Sequence, residues 1–242
     1  MTYEPRWYRD LMSAKGLVSF EVTVLQTDLH ISARKDLSSL ALRCVERFRA
    51  DIESFIAADP VFKKTLVPHD VPETSPPIIK AMADAAARAG VGPMAAVAGA
   101  ISEFVGRELM KKSEEVIVEN GGDIFITTES VRKMLVYAGD SPLSERLCLL
   151  IQPEDTPLGV CTSSGTVGHS LSFGKADAAV VVSRNTALAD AYATALGNRI
   201  QSAQDIDPVI KSSKTADGID GVVLIKGDKM GVWGNIELVK SE

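Results

Sequence analysis

The sequence of 242 residues is 45% hydrophobic and 24% charged, a composition that is typical of a globular chain and excludes wholesale disorder. Its 26 lysines and arginines against 32 aspartates and glutamates give a net charge of −6, which argues against nucleic-acid binding through a cationic surface. Without an apolar run of about 18 residues we expect no membrane span, and the start lacks the apolar core of a signal peptide. Three cysteines without metal-ligand spacing predict reduced thiols and a cytoplasmic location.

The first quarter of the chain predicts two strands, one helix and a loop. Alternating apolar residues indicate a half-buried strand over Leu17–Leu25, and a second short strand follows at Leu29–Ala33. Apolar residues at helical spacing predict a helix that Asp36 caps and that ends near Ala58. Residues 59–77 hold five of the eleven prolines and are predicted to form an irregular connection.

The middle of the chain changes from helix to strand. We predict a helix over 78–89 that Gly90 stops, and a further helix with Pro93 at its first position. Short β-rich runs then predict a series of strands, at residues 115–119, 124–128, 131–137, 147–151, 159–162 and 176–183.

The last part of the chain predicts a helix over 187–199 and a hairpin that turns at Gly227-Asp228. Helices and strands do not alternate regularly, so the pattern favours an α+β fold with a long mixed or antiparallel sheet and packed helices. We expect residues 1–242 to form a single domain, because the candidate motifs straddle the chain and suggest one cleft built from both halves. A division near the Pro-rich segment 59–77 is the alternative. A homodimer is a further expectation.

The first candidate motif is the Gly/Ala-rich segment Ala89–Glu103. If a helix begins at Pro93, the N–H groups of Met94, Ala95 and Ala96 are free at its N-terminus, where a phosphate or carboxylate binds well. Tight packing against a neighbouring helix also selects alanine and glycine, and that alternative stays open.

The second candidate is the Asn-Gly-Gly-Asp sequence at residues 120–123. Between two β-rich runs it predicts a hairpin turn or a bulge. The functional alternative is that Gly121 and Gly122 let the backbone approach a ligand while Asn120 or Asp123 forms hydrogen bonds with it.

The third candidate is the hydroxyl- and glycine-rich segment 159–178. Such a loop is able to bind an anion, and an ordinary polar loop is the alternative. His169 with Ser164 or Cys161 also suggests a serine or cysteine hydrolase, although the sequence places no acidic partner for the histidine and has no GxSxG motif.

The fourth candidate is the helix at residues 187–198. Asp190, Thr194 and Asn198 follow one another at four-residue spacing and therefore share one face. A carboxylate with a hydroxyl one turn away suits Mg²⁺, which takes few protein ligands. Ala189, Ala193 and Gly197 form a second row, which predicts close packing against the sheet. A solvated polar face is the alternative.

In this order, the segments GPMAAVAGAISE, ENGGDIFI, CTSSGTVGHS and ADAYATALGN resemble the ApbE superfamily of flavin transferases. The resemblance extends over Gly92–Asn198, and its most specific part is ADAYATA. The chain is most similar to a cytoplasmic branch of that superfamily, in which GPMAAVAGA and TSSGTVGHS are typical.

The resemblance implies an ApbE-like fold, FAD as ligand, and Mg²⁺-assisted transfer of FMN to a protein. In the superfamily, the Asp and Thr of an ADxxxT helix bind the metal, and these residues match Asp190 and Thr194 here. The GGD and TSG segments lie near the nucleotide, so the implied cofactor-binding residues are Asn120, Gly121, Gly122, Asp123, Thr162, Ser163, Gly165 and, nearby, His169.

Two parts of the superfamily pattern are missing. The Gly-rich helix lacks the lysine of a GxxxKG pattern, and no HxxxPxTG segment follows the TSG segment. Three hypotheses therefore remain: an ApbE-like enzyme acting on a flavin or other nucleotide-like compound, a non-catalytic protein that binds a small anionic ligand, and a serine or cysteine hydrolase.

Overall fold

The computed structural model describes residues 14–166 and 172–241. Its helices are α1 Ser38–Ala58, α2 Val61–Lys64, α3 Pro77–Ala89, α4 Val97–Leu109, α5 Thr186–Asn198 and α6 Ile206–Ser213. Its strands are β1 Val18–Val24, β2 Thr27–Ala33, β3 Val116–Asn120, β4 Asp123–Thr127, β5 Arg132–Leu135, β6 Leu147–Ile151, β7 Leu158–Ser163, β8 Ala178–Ser183, β9 Gly221–Lys226, β10 Lys229–Gly234 and β11 Glu237–Lys240.

Within these residues the strands form two sheets in which every neighbouring pair is antiparallel. The larger sheet has eight strands in the order β1-β2-β3-β4-β7-β8-β9-β10, and the smaller has three in the order β11-β6-β5. The predicted α+β fold with a long antiparallel sheet is confirmed.

Side chains of the large sheet alternate between two apolar cores. On β3, Val116 and Val118 pack with the helices, whereas Ile117 between them packs with the small sheet. The same alternation on β8 sends Val181 to the helices and Val180 to the small sheet. Because strand residues alternate sides, the large sheet is the middle of three layers: helices, large sheet and small sheet.

The helix ends follow from local sequence. Gly90 ends α3 with φ of +73°, a conformation that glycine adopts without strain. Asp36 lies just before α1, and its carboxylate accepts a hydrogen bond of 2.8 Å from the Ser38 N–H. Asn185 caps α5, with its side-chain oxygen 2.9 Å from the Leu188 nitrogen. These ends confirm the predicted positions of the three helices to within a few residues.

The predicted start of the Gly-rich helix is wrong. Residues Pro93–Ala96 form a 3₁₀ turn, and the α-helix begins only at Val97. Within that turn the Ala95 N–H donates to the Gly92 carbonyl at 3.0 Å. The Ala95 N–H therefore has its partner inside the turn. The N–H groups that lack a partner within the α-helix belong to residues after Ala96.

Within the described ranges, no single helix has both the length and the apolar character of a membrane span. Only a pair of helical segments, 77–89 and 93–109, meets those two criteria together, and the two are bent by 106° relative to each other.

Candidate functional site

The Asn-Gly-Gly-Asp sequence forms the tight turn between β3 and β4. Asn120 and Asp123 face each other across the hairpin, and the two residues between them have φ of +67° for Gly121 and +107° for Gly122. Two consecutive residues with positive φ are characteristic of a two-residue hairpin loop and favour glycine at both positions. The hairpin interpretation of this sequence is confirmed.

The register of the hairpin places the Asp123 side chain under the helices. Asp123 pairs with Cys161 of β7, and Cys161 packs in the core on the helical side of the sheet. The Asp123 carboxyl is buried beside the Cys161 thiol and the Thr162 N–H, and both groups lower its pKa. Its backbone carbonyl accepts the Ser102 hydroxyl of α4 at 2.9 Å. The hairpin is thereby joined to α4.

Asp190 reaches the first turn of α4 from the neighbouring helix α5. Its Oδ2 accepts the Gly99 N–H at 2.8 Å, and the Ala98 N–H also donates to this carboxylate. A free helix N-terminus is a good site for an anion. The anion that occupies it here is the protein's own Asp190 carboxylate, so the predicted direct binding of a ligand phosphate to this helix end is not what the structure shows.

Glycine at position 99 permits this contact. A Cβ on Gly99 would lie 2.5 Å from the Thr186 carbonyl oxygen and 2.7 Å from the Asp190 Cβ, distances that real side chains do not reach. The Asn120 side-chain amide completes the arrangement by donating to the Ala98 carbonyl at 3.2 Å. The first turn of α4 is therefore the point at which Asn120 and Asp190 meet.

Burial shifts the two carboxyls toward their protonated forms. Burial raises the pKa of Asp190 to about 7, although the Gly99 and Ala98 N–H groups oppose the shift. Burial also raises the pKa of Asp123, and the nearby negative charge of Asp190 raises it further. In the described part of the chain no lysine, arginine or histidine contributes a compensating charge to either group.

This donor set fits a hard divalent cation. Two buried carboxyls that raise each other's pKa and lack a basic partner are stabilised in their ionised forms when a cation lies between them. Thr194 is half-buried one turn beyond Asp190 on α5. No group of three His, Cys, Asp or Glu side chains suited to a metal occurs among the described residues, so a cation here would take most of its ligands from water or a substrate, as Mg²⁺ usually does.

The hydroxyl-rich segment leaves the sheet beside the same helix. Thr162 and Ser163 end β7 and are half-buried, and a Cβ on Gly197 of α5 would lie 3.6 Å from the Ser163 Oγ. Gly165 is exposed, and its N–H donates to the Ala176 carbonyl at 2.9 Å. His169 lies outside the described residues.

The row of small residues on α5 packs as expected, whereas Asn198 has a structural contact. Ala189, Ala193 and Gly197 are buried, and a Cβ on Gly197 would touch Ala179 of β8 at 3.4 Å. The Asn198 Oδ1 accepts the Phe173 N–H at 2.8 Å. Asn198 thus fixes the backbone at Phe173, within the hydroxyl-rich segment. It lies on the same face of α5 as Asp190 and Thr194, at the opposite end from Asp190.

Cys161 does not have the properties of a nucleophile. It is fully buried, and burial together with the charges of Asp123 and Asp190 raises the pKa of its thiol far above the ordinary value. Because the thiolate is the reactive form, a cysteine-hydrolase mechanism at Cys161 is disfavoured. The Ser164 Oγ lies 3.2 Å from the Thr166 Oγ1, so it belongs to a local turn.

Glu103 is a site residue that the sequence analysis missed. Its Oε2 accepts the Thr186 N–H at 2.7 Å, at the N-terminus of α5, and its Oε1 binds Arg107 at 2.7 Å. Glu103 stands four residues after Gly99, at the spacing where the GxxxK pattern has its lysine. A glutamate among apolar and small helix residues, at that spacing, was the sequence signal that could have identified this position.

A family model described as "AbpE bacteria" matches residues 9–221. The chain belongs to this family. Its relatives include a UPF0280 protein of Methanosarcina acetivorans, 41% identical over 218 residues that cover 89% of this chain and 83% of the relative. Another UPF0280 protein, from Methanocella arvoryzae, is 42% identical over 214 residues and covers 88% of this chain and 87% of its own length.

Solved structures show the same fold in ApbE proteins. A mutant form of the flavin transferase ApbE from Vibrio cholerae is 13% identical, with a TM-score of 0.56 over 90% of this chain and 97% of that one. The ApbE protein of Thermotoga maritima is 15% identical, with a TM-score of 0.55 over 93% and 97% of the two chains. The chain therefore has the fold of these ApbE proteins, as the motif resemblance had implied.

Proposed function

We propose that this protein binds an anionic, nucleotide-like ligand through Mg²⁺, and that the ligand is a flavin nucleotide such as FAD. The observation that carries the proposal is the pair of buried carboxyls, Asp123 and Asp190, which meet no basic group among the described residues. The flavin is suggested by the structural neighbours, which are named as flavin transferases.

The metal explains how an anion is able to bind beside two acids. The first turn of α4 already binds the Asp190 carboxylate, and phosphate oxygens near Asp123 and Asp190 would be repelled by their charge. Asp190 and Thr194 would hold the cation, with Asp123 as the second carboxylate. When bound, Mg²⁺ would draw charge from the phosphate oxygens and so favour cleavage of a pyrophosphate.

The other residues of the proposed site contact or shape the ligand. The Gly121-Gly122 turn has no side chains, so its backbone is able to lie close to a ligand. Thr162 and Ser163 offer hydroxyl groups at the end of β7, and Gly165 exposes backbone beside them. We include Asn120 and His169 as cofactor-binding residues on the strength of the motif resemblance alone.

The test is titration calorimetry of metal-stripped protein, first with Mg²⁺ alone and then with FAD in the presence and absence of Mg²⁺. We expect FAD to bind only with Mg²⁺, and Asp190→Asn to weaken both binding events by at least about tenfold, which is roughly 1.4 kcal/mol. Loss of the charged cation ligand is the reason. Glu129→Gln is the matched control, since it makes the same change from carboxylate to amide at a side chain that is more than half exposed and lies after the far end of β4 from Asp123.

FAD binding of equal strength with and without Mg²⁺ would refute the metal-mediated part of the proposal. If FAD does not bind under either condition, the flavin is the wrong ligand. In that case, Mg²⁺ binding that depends on Asp190 would still support the cation site, and other nucleotides with a pyrophosphate should be titrated.

A second candidate function is binding without catalysis. Glu103 supports it, because a carboxylate fixed between Thr186 and Arg107 stands at the spacing where a lysine occurs in the GxxxK pattern. Incubation of the protein with FAD, Mg²⁺ and a protein that offers a serine or threonine hydroxyl as the FMN acceptor, followed by chromatography, distinguishes the two functions. Release of AMP or transfer of FMN supports the enzyme, and unchanged bound FAD supports the binding protein.

A cytoplasmic location and a homodimer remain predictions. The three cysteines, Cys44, Cys148 and Cys161, are buried and not disulfide-bonded, which is consistent with a reducing compartment.

A further inference from the structure

Helices α4 and α5 cap each other. The Asp190 carboxylate of α5 accepts the Gly99 N–H in the first turn of α4 at 2.8 Å. In return, the Glu103 carboxylate of α4 accepts the Thr186 N–H at the start of α5 at 2.7 Å. Both carboxylates are buried, with 9% and 7% of Asp190 and Glu103 exposed.

Each contact has a clear physical basis. The first N–H groups of a helix have no partner inside it, and the helix dipole adds positive potential at that end. A carboxylate there forms a charge-assisted hydrogen bond that is stronger than one between neutral groups. Because the two contacts connect the same two helices in opposite directions, together they fix both the distance and the axial position of α5 relative to α4.

The two oxygens of Glu103 have different tasks. Oε1 is bound by Arg107 one turn later, with the Arg107 Nε at 2.8 Å, and this leaves Oε2 directed at Thr186. Thr186 and Asp190 are four residues apart and therefore lie above one another on the same face of α5. A displacement of the first turn of α5 would move Asp190 with it.

We propose that Glu103 is a positioning residue for the cation site: it anchors the start of α5 so that Asp190 lies at the N-terminus of α4 and faces Asp123. The inference rests on the proposed Mg²⁺ site. It predicts that removing the contact between Glu103 and Thr186 weakens cation binding although neither residue is a ligand of the cation.

Two variants remove that contact from opposite sides. Glu103→Gln replaces the carboxylate with an amide that has one accepting oxygen instead of two, so Arg107 and Thr186 can no longer each donate to an oxygen of their own. Thr186→Pro removes the N–H donor and leaves Glu103 unchanged. Residue 186 is the first position of α5, where proline is well tolerated. Arg107→Gln is the matched control, because it leaves the bond between Glu103 and Thr186 intact.

The experiment measures Mg²⁺ affinity by calorimetry and the amide resonances of Gly99 by NMR at a temperature where all variants are folded. We expect Glu103→Gln and Thr186→Pro each to weaken Mg²⁺ binding by about tenfold or more and to shift the Gly99 amide resonance. Arg107→Gln should change the affinity less than threefold. The conservative core substitution Ile225→Val, on the other side of the large sheet, reports what a general loss of stability does.

The outcomes separate this inference from the function on which it rests. If the wild type binds Mg²⁺ through Asp190 but both variants bind it equally well, with an unchanged Gly99 resonance, the positioning role is refuted and the cation site stands. If the wild type does not bind Mg²⁺, the cation site is refuted and the positioning role falls with it. Should one variant fail to fold, the other decides the question alone.

Discussion

Gly99 is the residue at which the two site helices approach most closely. Any side chain there would collide with the Thr186 carbonyl and the Asp190 Cβ, so α4 and α5 would have to separate. We expect Gly99→Ala to lower the free energy of unfolding by about 1–3 kcal/mol, the usual cost of overpacking, and to lengthen the Gly99–Asp190 hydrogen bond. Urea denaturation measures the first effect, and amide hydrogen exchange at Gly99 measures the second.

Gly197 on α5 provides the control for this prediction. A Cβ there would lie 3.4 Å from Ala179, an ordinary contact, and alanine is the better helix former by about 0.5–1 kcal/mol. Gly197→Ala should therefore leave stability unchanged or raise it slightly. If both substitutions had the same effect, the specific contact between the helices would not explain the cost at Gly99.

Residue patterns were sufficient to select Asp190 but not to find its partner. The four-residue spacing of Asp190, Thr194 and Asn198 predicted one shared helix face, and all three residues lie in α5. It did not indicate that Asp190 binds the Gly99 N–H or that Asn198 holds Phe173, because both partners come from distant parts of the chain.

At the scale of elements, a buried ion pair joins the two sheets. Glu115 lies just before β3 and is 2% exposed, and its carboxylate binds Arg132 of β5 at 2.7 Å and Arg34 after β2 at 2.7 Å. Burial alone would raise the pKa of Glu115, but hydrogen bonds from Arg132 and Thr128 outweigh it and lower the pKa below its ordinary value. The charged form is therefore the stabilising one.

We expect Glu115→Gln to lower the free energy of unfolding by about 3–5 kcal/mol at neutral pH, because it removes the carboxylate from a buried ion pair with Arg132. Chemical denaturation checks the magnitude. The contribution of Glu115 is present above its unfolded pKa and is lost as the pH falls through its lower folded pKa, so the difference from wild type should shrink in acid.

Glu129→Gln is the matched control for this ion pair. Glu129 also binds Arg34, at 2.9 Å, but it is more than half exposed, and a surface pair contributes about 0–1 kcal/mol. If both variants lost a comparable free energy of unfolding, burial would not explain the contribution of the Glu115 ion pair.

Element boundaries show where local sequence is decisive. Gly90, Asn185 and the Gly121-Gly122 turn mark ends and turns through their own chemistry, and the structure places each at the expected point. Pro93 was misleading because proline is equally compatible with the first position of a 3₁₀ turn. Tertiary packing then decides where the α-helix begins, and here the Asp190 carboxylate occupies its N-terminus at Gly99.

At the scale of the whole molecule, the buried acids make stability depend on pH. The pKa of Asp190 is raised to about 7 from 3.8, and that of Asp123 is raised as well. Between about pH 4 and 7 the folded state therefore binds more protons than the unfolded state, so the free energy of unfolding decreases as the pH rises. Metal-free protein should be less stable at pH 8 than at pH 5.

Urea denaturation in EDTA at pH 4 to 8 measures this slope, and comparison with Asp190→Asn isolates the contribution of the site. The variant should lose much of the decrease between about pH 4 and 7, because its amide does not titrate. Adding Mg²⁺ at pH 8 should restore wild-type stability by about 2.7 kcal/mol at a concentration one hundred times its Kd. Parallel pH profiles for the two proteins would contradict the assignment.

The layered arrangement separates the candidate site from the rest of the molecule. The site lies on the helical side of the large sheet. On the other side, a cavity of about 60 Å³ lies between the sheets, lined by Leu149, Val182 and Ile236 with Arg184 and Asp220.

The sequence by itself determined the local structure: strand alternation, helix caps, the glycine turn, the α+β class and the motif order that indicated the ApbE superfamily. These features depend on neighbours within a few residues. Only the tertiary structure decided the strand order, the pairing of β11 with β6, and the mutual capping of α4 and α5. The pairing of β11 with β6 and the mutual capping join residues that are more than 80 positions apart. Their partners are set by how the layers pack, which no local pattern in the sequence records.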